Sequence, residues 1–440
     1  MNESLKIECE WWGSSNGEKD ISQICRGAIG ITVGEDCLTR LEDAWGNTVR
    51  NRLHASANTL AGWLAGNWWR LRWEPETPSS RGDVDWRMSH SMASAGEGYC
   101  WPSILFASDG DCIAVASRAT RGRVMGPVRY LNEVNTLITG KAFESGIDAF
   151  LTLVLSRLHA EGHQKSELAE LWAEVTRERR DPKLSQWRRL EAICGYDPGE
   201  APEKIIEMLV TDSDGLGGTA LEEVAAQGRH STTEVLMPIL TLARSQAKPT
   251  AGGFRGKMPK LTAAKKLDPQ ARPWQQATNL AQLSRTQWGL GKQPVSNKQL
   301  ADLLGTKPAV FTDQAKALTP MPILLLTGTN GDFDLYFDSK WSTSRRFATG
   351  RLLGDHIYRS NDGRLIPATN TKTSRQQFQR AFAQEFLCPF EALMEKIQTD
   401  QPDEEDISEA AAHFEVSPLM VKTTLVNKGE MDRDALNWVA

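Results

Sequence analysis

The chain has 440 residues, 40% of them hydrophobic and 24% charged, with a formal net charge of -5; it is long enough to bury two or three separate cores, and its negative balance excludes a protein whose whole surface clings to nucleic acid. No run of about 18 apolar residues occurs, and the N-terminus "MNESLKIECEWW" has no basic segment followed by an apolar one. The seven cysteines form no CxxC pair, so neither a disulfide framework nor a thiolate zinc site is expected; the chain reads as cytoplasmic, with reduced thiols and no membrane association.

Residues 1–130 carry nine of the fifteen tryptophans. "GAIGITVGEDCLTRLED" alternates apolar residues before a turn, and "SILFASDGDCIAVASRA" sets Asp109 and Gly110 between two alternating runs, a hairpin signal. Between them the spacing predicts a helix from Leu53 to about Trp69. In "GNWWRLRWEPE", alternation puts Trp69, Leu71 and Trp73 on one strand face and Arg70 and Arg72 on the other, which predicts a half-buried strand. The other reading is a surface that stacks bases or anchors a partner through Trp69, Arg70, Arg72 and Trp73. "DVDWRMSHSMASAGEGYCW" gathers Asp85, Ser89, His90, Ser91 and Cys100 without a nucleophile elbow, so no hydrolase triad is assigned. A small α/β domain fits 1–130.

Residues 131–246 turn helical, with Ser166 as the N-cap of "SELAELWAEVTRERRD". "LHAEGH" puts His159 and His163 four apart, yet Gly162 between them predicts that the helix stops before the second imidazole. "SDGLGG", Ser213 to Gly218, lacks the lysine of a phosphate loop and reads as a turn. Residues 247–273 hold four prolines and seven lysines or arginines against one aspartate, the composition of an interdomain linker, with a phosphate-binding arm as the other reading.

From 274 to 440 a further α+β domain is expected. "TNLAQLSRTQWGL" and "SNKQLADLLG" are short helices, the second capped by Ser296 and followed by Gly305; "MPILLLTGTNGDFDLYFD" gives two strands around Asn330 and Gly331. A helix through "STSRRFATGRLLGDHIYR" comes next, then "TSRQQFQRAFAQEFLCPFEALMEKI", which Pro389 ends or kinks. "ISEAAAHFEVSPLMVKTTLVNKG" closes the chain as two helices around a Glu415 to Ser417 turn. Such a pair can be a helix-turn-helix reader, but only Lys422 and Lys428 are basic there and "DEEDISE" precedes it, so a structural tail is preferred.

Over about 160 residues from 275 onward, the order of elements and the local words resemble the ImmA/IrrE family of metallopeptidases. Arg345, Arg346 and Phe347 match its lead-in to the active-site helix, and Leu353 and Gly354 match the middle of that helix. Phe382, Ala383, Glu385, Leu387 and Pro389 match its second helix, and Ala411, Phe414, Val416, Ser417, Val421 and Gly429 match its tail. The resemblance implies a zincin-like domain with a helix-turn-helix-like tail. A working HExxH site needs two imidazoles one helical turn apart, a glutamate base beside the first and a third ligand from a later helix. Here Arg351, Leu352 and Asp355 stand at those three helix positions, and Gln376 or Gln377 at the later glutamate. A guanidinium keeps its proton at neutral pH and leucine has none to exchange. His356 is one residue along and faces another side of the helix.

The expectation is an α+β, multidomain chain: a small α/β domain (1–130), a helical domain (131–246), a basic linker (247–273) and a pseudopeptidase domain (274–440). No catalytic residue, metal or cofactor is assigned. Arg351, Asp355, His356, Gln376 and Gln377 are the candidates for a vestigial cleft, with Arg351 and Asp355 expected either as a surface ion pair or, if buried, as a binder of a peptide end or phosphate. A regulatory, sensing or scaffold role with a protein partner follows, in stress response or phage and mobile-element defence as the resemblance implies. The alternatives are a peptidase rebuilt on Asp355, His356 and His413, and a DNA-binding regulator that uses the linker, Lys422 and Lys428.

Overall fold

The computed structural model describes residues 4–13, 20–80, 82–121, 126–228, 232–244, 254–261, 267–268, 271–313, 319–327, 330–359, 362–399 and 401–436. The chain is mixed α+β and divides into two compact units: Met1–Glu207 with Ala225–Arg229 and Thr371–Thr373, and Met208–Val224 with His230–Asn370 and Ser374–Ala440.

Unit 1 begins with β1 (Leu5–Trp11), the single turn α1 (Ile21–Ile24), and strands β2 (Arg26–Val33), β3 (Asp36–Cys37), β4 (Leu41–Asp43), β5 (Thr48–Arg50) and β6 (Leu53–Ser56). Helices α2 (Ala57–Gly66), α3 (Trp68–Trp73) and α4 (Val84–His90) lead to β7 (Ile104–Ser108), β8 (Cys112–Ser117), β9 (Val128–Tyr130) and β10 (Val134–Thr139). Then come α5 (Gly140–Ala160), α6 (Glu167–Arg180) and α7 (Pro182–Ile193). The strands form three small sheets, β1-β2-β3 with β6 on β2, β5-β4-β9 and β10-β8-β7. The expected helix start at Leu53 is displaced: Leu53 pairs with Ile29 as a strand, and the helix begins at Ala57. Asp109 and Gly110 turn the β7–β8 hairpin as expected, Gly110 at φ 96°. Phe143, Phe150, Trp172 and Val175 from the later helices share one core with Ile29 and Leu60 of the tryptophan-rich segment.

Next in the chain are α8 (Glu203–Leu216), α9 (Gly218–Ala225), α10 (Thr232–Arg244) and β11 (Phe254–Lys257). The expected turn at Ser213–Gly218 is confined to Gly217, at φ 102° between two helices. Unit 2 continues through α11 (Pro273–Gln287), α12 (Asn297–Leu303), α13 (Ala309–Thr312), β12 (Ile323–Leu326), β13 (Asp332–Tyr336), α14 (Ser342–Tyr358), β14 (Leu365–Pro367), α15 (Ser374–Leu387), α16 (Phe390–Ile397), α17 (Glu404–Phe414) and α18 (Pro418–Lys428). Its sheet has the order β11-β13-β12-β14, antiparallel throughout. The basic segment is therefore more than a solvated connection, because Phe254–Lys257 adds a strand to this sheet. Glycine is required at 256, where a Cβ would meet the Phe333 ring at 2.4 Å. Residues 245–253, 262–266 and 269–270 of that segment lie outside the described residues.

The local signals in unit 2 hold. Ser296 Oγ accepts from Gln299 N at 3.2 Å, Gly331 turns the β12–β13 connection at φ 81°, and α15 stops at Leu387 ahead of Pro389. Glu415 turns at φ 53° and Ser417 Oγ caps α18 through Met420 N at 3.2 Å. Phe378, Phe382, Leu352 and Leu353 bury α14 against α15. No helix among the described residues is long and apolar enough to cross a membrane. None of the seven cysteines is in a disulfide among the described residues.

Candidate functional site

The helix α14 starts by anchoring itself. Arg345 and Arg346 are both buried, an unusual place for a guanidinium unless each donor finds an acceptor. Arg345 donates to Ser339 O and Val310 O, each at 2.8 Å. Arg346 donates to Glu415 O at 3.0 Å, Asn297 Oδ1 at 2.8 Å and Val295 O at 2.5 Å, tying α14 to the start of α12 and to the α17–α18 turn.

One and two turns further on stand Arg351 and Asp355, and both are buried, so the surface ion pair is not what forms. Arg351 Nη2 donates to Thr369 O and to Gln376 Oε1, each at 2.5 Å. Gln376 Oε1 also accepts from Thr369 N at 3.0 Å, so the amide braces α15 against the chain after β14. Burial, with the like charge of Arg380 nearby, pushes the Arg351 guanidinium down to about 9. Asp355 turns instead to Arg375 on α15, which forks onto it through Nε at 2.9 Å and Nη2 at 2.5 Å. Arg375 also donates to Thr219 Oγ1 of α9 at 2.9 Å. Burial works against the charge of Arg375, but Asp355 outweighs it and raises its value. Arg359 lies 3.6 Å from the same carboxylate.

His356 is half-buried, its value lowered by burial, and its Nδ1 has no hydrogen-bond partner among the described residues. His413 is exposed on α17 against Phe414. Among the described residues no three His, Cys, Asp or Glu side chains gather as a metal-binding group. The geometry bracing this face comes from Arg375 and Thr219, neither of which the sequence pattern singled out.

Gln377 and Lys428, taken from different sequence words, do come together. With Trp274, Arg380, Gln384 and Asn427 they line a cavity of about 650 Å³ between α11, α15 and α18. Lys422, by contrast, is buried and paired with Glu404 at 2.5 Å, which removes it from any surface that α18 offers to DNA.

In unit 1 the segment expected as a half-buried strand is α3, and Trp69, Arg70 and Arg72 are buried. Apolar and charged residues alternate there without alternating between core and solvent, because each arginine is neutralised inside. Arg70 meets Glu74 at 2.6 Å, Asp85 at 2.9 Å and Asp197 at 3.4 Å; Arg72 meets Glu144 at 2.6 Å and Gly110 O at 3.0 Å. Trp69 Nε1 donates to Glu178 at 3.0 Å, and the half-buried Trp73 is flanked by the guanidinium carbons of Arg72 and Arg189 at 3.8 and 4.2 Å. None of the three buried side chains can stack on a base.

His90 belongs to the same network. Its Nδ1 lies 2.9 Å from Phe106 O, its Nε2 lies 3.0 Å from Glu74 Oε2, and Trp86 stacks on it with centroids 4.3 Å apart. Neither Ser89 nor Ser91 bonds to the ring, and Cys100 is exposed, so no triad forms. His163 falls beyond the end of α5, after Gly162 at φ 88°, away from the helical turn of His159.

Burial pushes the Glu74 carboxyl up, yet His90 and Arg70 hold it below its ordinary value of 4.5. A depressed carboxylate contributes stability that is complete above the unfolded value and lost as pH falls through the folded one. Unit 1 is therefore expected to lose stability as pH drops below about 4.5, with Glu74→Gln flattening that acid limb. Urea titrations followed by tryptophan emission at several pH values check this; an unchanged slope in the variant refutes it.

Comparison with known proteins finds no matching family model, no matching curated protein and no matching solved structure.

Proposed function

We propose that the chain is a non-catalytic regulatory, sensing or scaffold protein whose second unit is a degenerate ImmA/IrrE-like peptidase domain. One observation carries the reading. The two helix positions that would present metal ligands are occupied by Arg351 and Asp355, and both are bonded inward, to Gln376 and Thr369 O and to Arg375. A carboxylate gripped by a guanidinium fork is a poor metal ligand, and an arginine is none at all. That bonding speaks against a peptidase centre rebuilt on Asp355 with His356 and His413. The frame that remains binds a protein partner, and the setting the resemblance implies is stress response or defence against phage and mobile elements.

The test is capture of partner polypeptides on the immobilised full chain, followed by incubation with and without added zinc. Partners are expected to be retained intact in both cases. Zinc-dependent cleavage of a retained partner, abolished by Asp355→Asn, overturns the reading and restores the peptidase.

A further inference from the structure

The cavity between α11, α15 and α18 presents an aromatic face and positive charge together. Its rim carries the exposed indole of Trp274, 37% accessible, at the start of α11. Lys428 and Arg433, both exposed, line it with Arg380, which donates to Thr369 O at 3.4 Å and lies in the field of Glu223, against one carboxylate, Glu385. That carboxylate is already engaged, accepting from Gln282 Nε2 at 2.9 Å and from Phe390 N at 3.3 Å. Lys428 has its ammonium 5.2 Å from the Phe390 ring centroid and no carboxylate within ion-pair distance among the described residues. Amides and hydroxyls, among them Gln377, Gln384, Asn427 and Thr423, make up most of the rest of the wall, with Ala381.

We infer that this cavity binds a mononucleotide, its phosphate held by Lys428 and its base laid on Trp274. Four features fit that class of ligand together. The volume of about 650 Å³ falls in the range of small-molecule sites. An indole open to solvent offers a π-face that any base can stack on. The ammonium of Lys428 and the exposed guanidinium of Arg433 on the same wall favour a phosphate. Side-chain amides supply the paired donor and acceptor that a base edge requires. A bare anion would use the cations and leave the indole idle, and an acidic peptide would have no need of it. This inference stands on the cavity alone, so it survives or fails independently of whether the chain cleaves its partners.

Isothermal titration of the full chain with nucleoside mono-, di- and triphosphates tests it, alongside inorganic phosphate, a short acidic peptide and a single-stranded oligonucleotide. The variants are Lys428→Glu and Trp274→Ala, both at exposed positions, each first shown by circular dichroism to keep the wild-type fold. At least one mononucleotide is expected to bind at micromolar to low millimolar concentration, with about tenfold loss for each variant. Inorganic phosphate, if it binds, should lose affinity with Lys428→Glu and not with Trp274→Ala. The inference is overturned by no nucleotide binding, by binding indifferent to both variants, by phosphate or the acidic peptide binding as well as the best mononucleotide, or by binding of the oligonucleotide alone.

Discussion

Replacing Arg375 by methionine is expected to lower the stability of unit 2 by about 3–5 kcal/mol, the cost of stranding a buried charge whose partner has been removed. Asp355 is 0% accessible, and its two oxygens receive three contacts from the Arg375 guanidinium. Methionine keeps much of the volume, so the loss reports the charge more than a cavity. Arg359, 3.6 Å away and partly exposed, can swing in and relieve part of it, which favours the lower end of the range. The double variant Asp355→Asn with Arg375→Met removes both charges and should recover much of the deficit, since a buried ion pair as a whole is often no better than a neutral pair of similar size. Hydrogen exchange over α14 and α15 gives the local readout: faster exchange in the single variant and near wild-type protection in the double. A single variant within 1 kcal/mol of wild type, or a double no better than the single, would show that the fork contributes little.

Local chemistry made much of unit 2 legible. Ser296 was readable as a cap because it precedes an apolar run at helical spacing, the Glu415 to Ser417 turn because it separates two such runs, and Gly331 because the hairpin needs positive φ. What the sequence hid is where charge goes. Arg70, Arg72, Arg345, Arg346, Arg351 and Arg375 are all buried, whereas a pattern reading sends arginine to solvent by default. That default turned α3 into a strand and made a surface ion pair one of the two readings of Arg351 and Asp355. Glu74 lies only four residues from Arg70, but other partners that reverse it lie far along the chain, Arg70 on Asp197 and Arg375 on Thr219, and no local window contains those. The strand at Phe254–Lys257 was hidden for a related reason: a four-residue strand in a proline-rich basic stretch carries too little periodicity to register. Trp274 escaped notice because an isolated aromatic at a helix start is ordinary until the fold sets Lys428 and Gln377 beside the same space.

Gly354→Val is expected to destabilise unit 2 by about 3 kcal/mol, and Gly354→Ala by about 1–2 kcal/mol, although alanine is the better helix former by about 1 kcal/mol. The outcome turns on space. A Cβ at 354 would lie 2.4 Å from Phe382 Cγ and 2.5 Å from its Cδ1, and Phe382 is 0% accessible and stacked on Phe386, so the ring has nowhere to retreat. Either α14 and α15 separate or the ring leaves its rotamer, and both cost more than the propensity gain. Gly62 in α2 is the control: nothing stands within 4 Å of its missing Cβ, so Gly62→Ala should stabilise by up to about 1 kcal/mol. Denaturant melts of the three variants decide the point, and Gly354→Ala behaving like Gly62→Ala would mean that the helices do not meet so closely. The consequence reaches the site, because the separation of α14 and α15 places Arg351 on Gln376 and Asp355 on Arg375. A glycine kept for close packing needs no metal to explain it, so packing alone accounts for Leu353 and Gly354 in the middle of α14.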